Sequence, residues 1–125
     1  MLVFELSGGV DAPLEARRAL LAGDNSIPAA IREDILLLTT ELVTNAVRHG
    51  GVGPEQSLST EVRWWPGRVR VDVTDPSPAS DFGARSLESG EGGWGLYLVD
   101  QIAHRWGIKR TPSSTKVWFE LRPET

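Results

Sequence analysis

Two stretches that alternate apolar and polar residues flank a Pro66-Gly67 pair, and no other feature constrains the fold of this chain as strongly. Leu58, Val62 and Trp64 share one parity in residues 57–65, as do Val69, Val71 and Val73 in residues 68–75. Glu61, Arg63, Arg68, Arg70 and Asp72 take the other parity. Side chains of a strand point to its two faces in turn, so the pattern predicts a β-hairpin with one buried face and one wet face. A buried face needs a cover, and the rest of the chain offers helices. One starts at Asp11 or its neighbourhood, with Pro13 early and Leu14, Leu20 and Leu21 apolar, and Gly23-Asp24-Asn25-Ser26 stops it. Pro28 opens a longer helix, a first-turn position that costs no hydrogen bond, and Gly50-Gly51 closes it. A third is expected from about Gly95 to His104, with Leu96, Val99, Ile102 and Ala103 as its apolar side. Residues 2–6 read as a short strand, and two more strands are expected near 106–111 and 115–122, with Val117, Phe119 and Leu121 inward. Residues 76–92 form a polar loop rich in Gly, Ser and Pro. The predicted architecture is an α/β two-layer sandwich, with helices on one face of a mixed, mostly antiparallel sheet. A single domain over residues 1–125 is expected, because no repeat and no long linker divides the chain.

Charge and composition argue against several classes. The formal net charge is −4, which gives no basic field for a nucleic-acid backbone or an anionic membrane. No cysteine is present, so disulfides, thiolate zinc sites and thiol nucleophiles are excluded together, and a cytoplasmic location is expected. Met1 to Leu6 is too short for the apolar core of a signal peptide and lacks a basic flank, and no segment approaches a membrane span.

The segment Glu41-Leu42-Val43-Thr44-Asn45-Ala46-Val47-Arg48-His49-Gly50 carries the first candidate chemistry. Glu41 and Asn45 are one helical turn apart at the edge of the arc formed by Ile35, Leu38, Leu42 and Ala46. An Asn carbonyl is a neutral oxygen ligand for Mg²⁺, a hard ion that takes few protein ligands beside phosphate oxygens and water. Glu41 is then placed to polarise a hydroxyl or water. The same spacing also suits a polar helix border with an intrahelical hydrogen bond.

Asp75 closes a strand in Val71-Asp72-Val73-Thr74-Asp75-Pro76, where it can accept from an exocyclic amine such as that of adenine, or simply begin a turn. Gly90-Glu91-Gly92-Gly93-Trp94-Gly95 leads into a helix, whose N-terminal amides suit phosphate. Gly90, Gly92 and Gly95 fit the dinucleotide pattern, but no strand precedes them immediately and too little chain follows for a doubly wound sheet. No Walker lysine is present.

Glu41 to Gly50, Asp75 to Ala79 and Gly92 to Gly95, in that order, resemble the nucleotide-binding boxes of the GHKL (Bergerat-fold) ATPase/kinase superfamily. They are most similar to those of bacterial anti-sigma factor serine/threonine kinases. Ala12-Pro13, Ala16-Arg17-Arg18 and the Gly93-Trp94-Gly95-Leu96-Tyr97-Leu98-Val99 run extend the resemblance over nearly the whole chain. The resemblance implies Asn45 as the Mg²⁺ ligand and Glu41 as the general base. It implies Asp75 on the adenine amine, Thr115 holding the base from the other side, and Gly93, Gly95 and Leu96 in the ATP-binding box. The loop 76–92 corresponds to an ATP lid. The family's middle box reads Asp-x-Gly-x-Gly, whereas Ser77 and Ala79 replace its glycines here, with prolines at 76 and 78. Fixed proline torsions and alanine's resistance to positive φ stiffen that hinge.

The function that follows is an Mg·ATP-dependent kinase acting on an anti-sigma antagonist protein, with a sigma factor as second partner and a homodimer as the expected assembly. The rival is a sequestration module that binds a regulator, with nucleotide as a structural ligand or absent. A sensor histidine kinase module is disfavoured, because no helical hairpin presents a phosphoacceptor histidine. His49 falls in the last turn of its helix, where an imidazole can meet exposed carbonyls, and no metal-binding spacing joins it to His104. Trp65 and Trp118 fall on the wet sheet face by parity, either covering arginine stems or anchoring a partner.

Overall fold

The computed structural model describes residues 1–23, 27, 29–49, 51–76 and 93–123. The chain runs β1 (Leu2–Ser7), α1 (Ala12–Ala22), α2 (Ala29–His49), β2 (Ser57–Trp65), β3 (Arg68–Asp75), α3 (Gly93–Ile102), β4 (Arg105–Arg110) and β5 (Thr115–Leu121). Pro28, Gly50, the Asp24-Asn25-Ser26 stop and the lid from Ser77 to Gly92, with its Ser77 and Ala79 departures, lie outside the described residues.

The strand order is β1-β2-β3-β5-β4, and each of the four pairings is antiparallel, so the sheet expected to be mixed has no parallel pair among the described residues. β3 and β4, which point the same way, are joined across α3 and are not neighbours. β5 turns back from β4 into the space between them, and so pairs antiparallel on both sides. The predicted hairpin forms with Trp65 opposite Arg68, and Gly67 at φ 80° follows Pro66, the residue signature of a type II turn.

Val62, Val71, Phe119 and Trp106 stand in one row across the inner face, and Thr60, Val73, Val117 and Ile108 in the next. α2 lies over β3 with α1 on one side and α3 on the other. Its buried arc is therefore wider than a surface helix requires: Leu36, Thr39 and Val43 are buried together with the predicted Ile35, Leu38, Leu42 and Ala46. The hydroxyls of Thr39 and Thr60 are buried in this core without a hydrogen-bond partner among the described residues. No helix among the described residues is long and apolar enough to cross a membrane.

Two expectations need correction. α3 begins at Gly93 and ends at Ile102, earlier than predicted at both ends. The Ala103 N–H closes on the Val99 carbonyl and the His104 N–H donates to the Glu120 carbonyl, which turns the chain into β4. The outer sheet face is not uniformly wet: Asp72 and Glu120 are 4% and 3% exposed. Arginines on neighbouring strands cover them and supply the charge that burial would otherwise leave unpaired.

Candidate nucleotide site

Asp75 is the last residue of β3 and Thr115 the first of β5, and the register sets them directly opposite each other. Strand alternation turns both toward the helix layer, on the side of Val73 and Val117, and both are buried. Each already has an interaction partner within the fold. Forty residues separate them in sequence, so only sheet register could place them side by side. Thr115 also stands opposite Arg110, an exposed cation on the edge strand. Sequence reading did not single out Arg110, and no local pattern marks it.

α2 contributes Asn45 and Glu41 from its second half, where it packs over β3 and against α3. Asn45 is 4% exposed, whereas Glu41, one turn earlier, is half-buried at the border. Thr40 and Thr44 hydroxyls donate back to the Leu36 and Thr40 carbonyls, so the polar residues beside Glu41 are absorbed by the helix itself. Asn45 is not absorbed in this way: its Nδ2 is buried with no hydrogen-bond partner among the described residues. Buried amides are nearly always paired, and leaving one unpaired costs about 1–3 kcal/mol. A ligand oxygen at this position removes that cost.

α3 supplies backbone. Gly93 and Gly95 lie in its first turn, so the N–H groups of Gly93, Trp94, Gly95 and Leu96 are the four that an α-helix leaves without intrahelical acceptors. They form an anion-binding end favoured by the helix dipole. The Leu96 side chain is fully buried in the core, so its part in a site is limited to the backbone. The Trp106 Nε1–H donates to Asp100 Oδ1 at 2.9 Å, which ties α3 to β4. The side chain of His49 lies outside the described residues, and His104 is exposed in the turn between α3 and β4.

These groups fit a magnesium nucleotide chemically: a neutral oxygen for a hard cation, an orphan amide donor, amides for phosphate, and a buried Asp–Thr pair for a base edge. The described residues contain no cluster of His, Cys, Asp and Glu suited to a metal without phosphate. No curated protein matches the chain. A family model of the histidine kinase-like ATPase domain matches residues 11–121, a span that includes Glu41, Asn45, Asp75, Gly93, Gly95, Leu96 and Thr115. With that match over most of its length and an α/β fold of the expected layers, the chain belongs to the histidine kinase-like ATPase domain family, whose ligand is ATP.

Proposed function

We propose that this chain is an Mg·ATP-dependent serine/threonine kinase that acts as an anti-sigma regulatory factor, with an anti-sigma antagonist protein as phosphoryl acceptor and a sigma factor as the second partner. One observation carries the reading: the buried amide of Asn45, without a partner among the described residues, one helical turn from the half-buried carboxylate of Glu41. The buried Thr39 hydroxyl of the same helix is likewise without a partner among the described residues, whereas Thr40 and Thr44 donate to backbone carbonyls, so what distinguishes the Asn45 amide is its place beside Glu41. The likeness of the Glu41–Gly50 and Gly93–Val99 segments to anti-sigma kinases supports the narrower assignment.

Bound ATP supplies the phosphoryl group and Mg²⁺ its charge neutralisation. Asn45 Oδ1 would hold the ion, while the amides at the start of α3 donate to phosphate oxygens. Asp75 accepts from the adenine amine, and Thr115 closes the base from the neighbouring strand. Glu41, which the ion does not need, takes the proton of the acceptor hydroxyl. The homodimer and the cytoplasmic location belong to the same proposal.

The test is phosphoryl transfer from labelled ATP to an anti-sigma antagonist protein. Wild type should transfer label, and Glu41→Ala should bind ATP normally yet transfer roughly a hundredfold slower or worse. A tight complex with the antagonist and no transfer would make the chain a sequestration module instead.

A further inference from the structure

The outer face of the sheet has a charge arrangement that a nucleotide site does not use. Glu61, Arg63, Asp72, Arg70, Glu120 and Arg105 form a continuous lattice across β2, β3, β5 and β4, closed by ion pairs of 2.8–3.4 Å. Register puts Glu61 opposite Asp72 and Arg63 opposite Arg70, but the two rows neutralise each other diagonally through Arg63 and Asp72. The next cationic row is different. Lys109 and Lys116 are directly opposite each other on β4 and β5, and neither has an ion pair among the described residues. Like charges directly across a ladder destabilise it. The adjoining row brings Gly107, Trp118 and then Asp72, whose carboxylate is already paired with Arg63 and Arg70. Glu5, in the same row as Lys116, is three strands away, about 14 Å at the usual strand spacing.

At the other end of this face Arg68 is also without an ion pair among the described residues, and its guanidinium lies 4.3 Å from the centre of the Trp65 ring. Trp65 is 39% exposed. Trp118 lies under the Arg70 guanidinium at 4.2 Å, its ring so close over Gly107 that a Cβ there would come within 2.9 Å. Cations without an ion pair among the described residues thus occupy both ends of a face whose two indoles are covered by arginines, in a chain of formal net charge −4. Thr74 is the β3 partner of Lys116, and from Thr74 to Arg68 the strand spans about 20 Å.

We propose that this face docks an acidic segment of a partner protein, whose carboxylates engage Lys109 and Lys116 at one end and Arg68 at the other. An extended segment of about six residues covers the span at the usual rise per residue. Its apolar side chains rest beside the exposed Trp65. Carboxylates suit the face better than a continuous phosphate backbone, which would have to cross Glu61, Asp72 and Glu120. A second copy related by a twofold axis through the Lys109–Lys116 pair would bring these lysines against their own counterparts. The retained Lys109–Lys116 repulsion is the cost that such a partner removes. The proposal does not depend on kinase activity.

The distinguishing variant is Lys116→Glu, which turns the like pair into an opposite pair with Lys109. A fluorescently labelled deca-glutamate peptide is titrated into wild type and variant, with anisotropy as the readout, and both are melted. Wild type should bind the peptide with an affinity that falls as salt is raised. The variant should bind at least tenfold more weakly, keep its ATP affinity, and melt at or above the wild-type temperature. A loss of peptide affinity smaller than tenfold overturns the proposal, as does tighter binding of a single-stranded DNA ten nucleotides long. Sedimentation that reveals self-association abolished by Lys116→Glu would assign the face to a second copy and overturn it equally.

Discussion

Asn45 makes metal dependence measurable at a single side chain. On the proposed reading Asn45→Ala removes an oxygen ligand of Mg²⁺ and a hydrogen bond from the amide nitrogen to phosphate, and the charge-assisted hydrogen bond alone is worth about 1.5–3 kcal/mol. ATP affinity measured by calorimetry with Mg²⁺ should therefore fall by roughly tenfold or more, and the residual affinity without Mg²⁺, which rests only on the hydrogen bond of the amide nitrogen, should fall less. Equal affinity with and without the ion in both proteins would remove Asn45 from the site. Asp75→Asn tests base recognition separately. A carboxylate only accepts, whereas an amide also donates, so the variant should lose preference for ATP over GTP, whose ring carries a carbonyl where adenine has its amine. Unchanged discrimination would leave Asp75 as a turn residue. Glu120 gives a pH signature on the other face. Burial pushes its carboxyl upward, but the hydrogen bond and charge of Arg105, with Arg70 and Arg68, outweigh this and hold it below the ordinary value of about 4.5. A carboxylate with a lowered folded pKa stabilises fully above its unfolded value and loses that stabilisation as pH falls through the folded one. Urea midpoints of wild type should decline below pH 4.5, and those of Glu120→Gln should decline less steeply over the same range.

Single elements carry local costs that their sequences hide. β2 buries Thr60 where its neighbours in the row are Val73 and Phe4, and its hydroxyl has no partner among the described residues. Thr60→Val keeps the shape and removes an unpaired polar group, so it should stabilise the fold by about 1 kcal/mol in urea denaturation. Destabilisation would point to a buried water bound there. β4 depends on Gly107 because Trp118 lies against it. Gly107→Ala should cost about 1–3 kcal/mol by forcing the indole off its position. The elements themselves were largely legible: Pro66-Gly67, the period-two alternation of β2 and β3, and the 3.6-residue spacing of α2 each encode their state within a few residues. The start of α3 was not, because Gly93-Trp94-Gly95 has weak helix propensity and its helical state is set by packing of Leu96 and Val99 beneath it.

Across the whole molecule, the sheet is clamped on both faces, by apolar contacts with the helices inside and by an ionic lattice outside. Arg70 is its centre, touching Asp72 at 3.1 Å and Glu120 at 3.4 Å while covering Trp118. Removing one member of a buried ion pair usually costs about 3–5 kcal/mol. Each carboxylate here keeps a second arginine, Arg63 or Arg105, so Arg70→Ala should cost about 2 kcal/mol, read from equilibrium denaturation.

The sequence by itself determined the layers, the hairpin, the amphipathic helices and the Glu41–Asn45 spacing, because each depends on residues near one another along the chain. It also limited the chemistry, since a cysteine-free chain excludes thiolate metals. The pairing of Asp75 with Thr115, the insertion of β5 between β3 and β4, the orphaned amide of Asn45 and the facing lysines 109 and 116 were decided only by the tertiary structure. Each is a property of register and packing between distant segments, and alternation along a strand fixes which face a side chain takes without fixing its neighbour across the sheet.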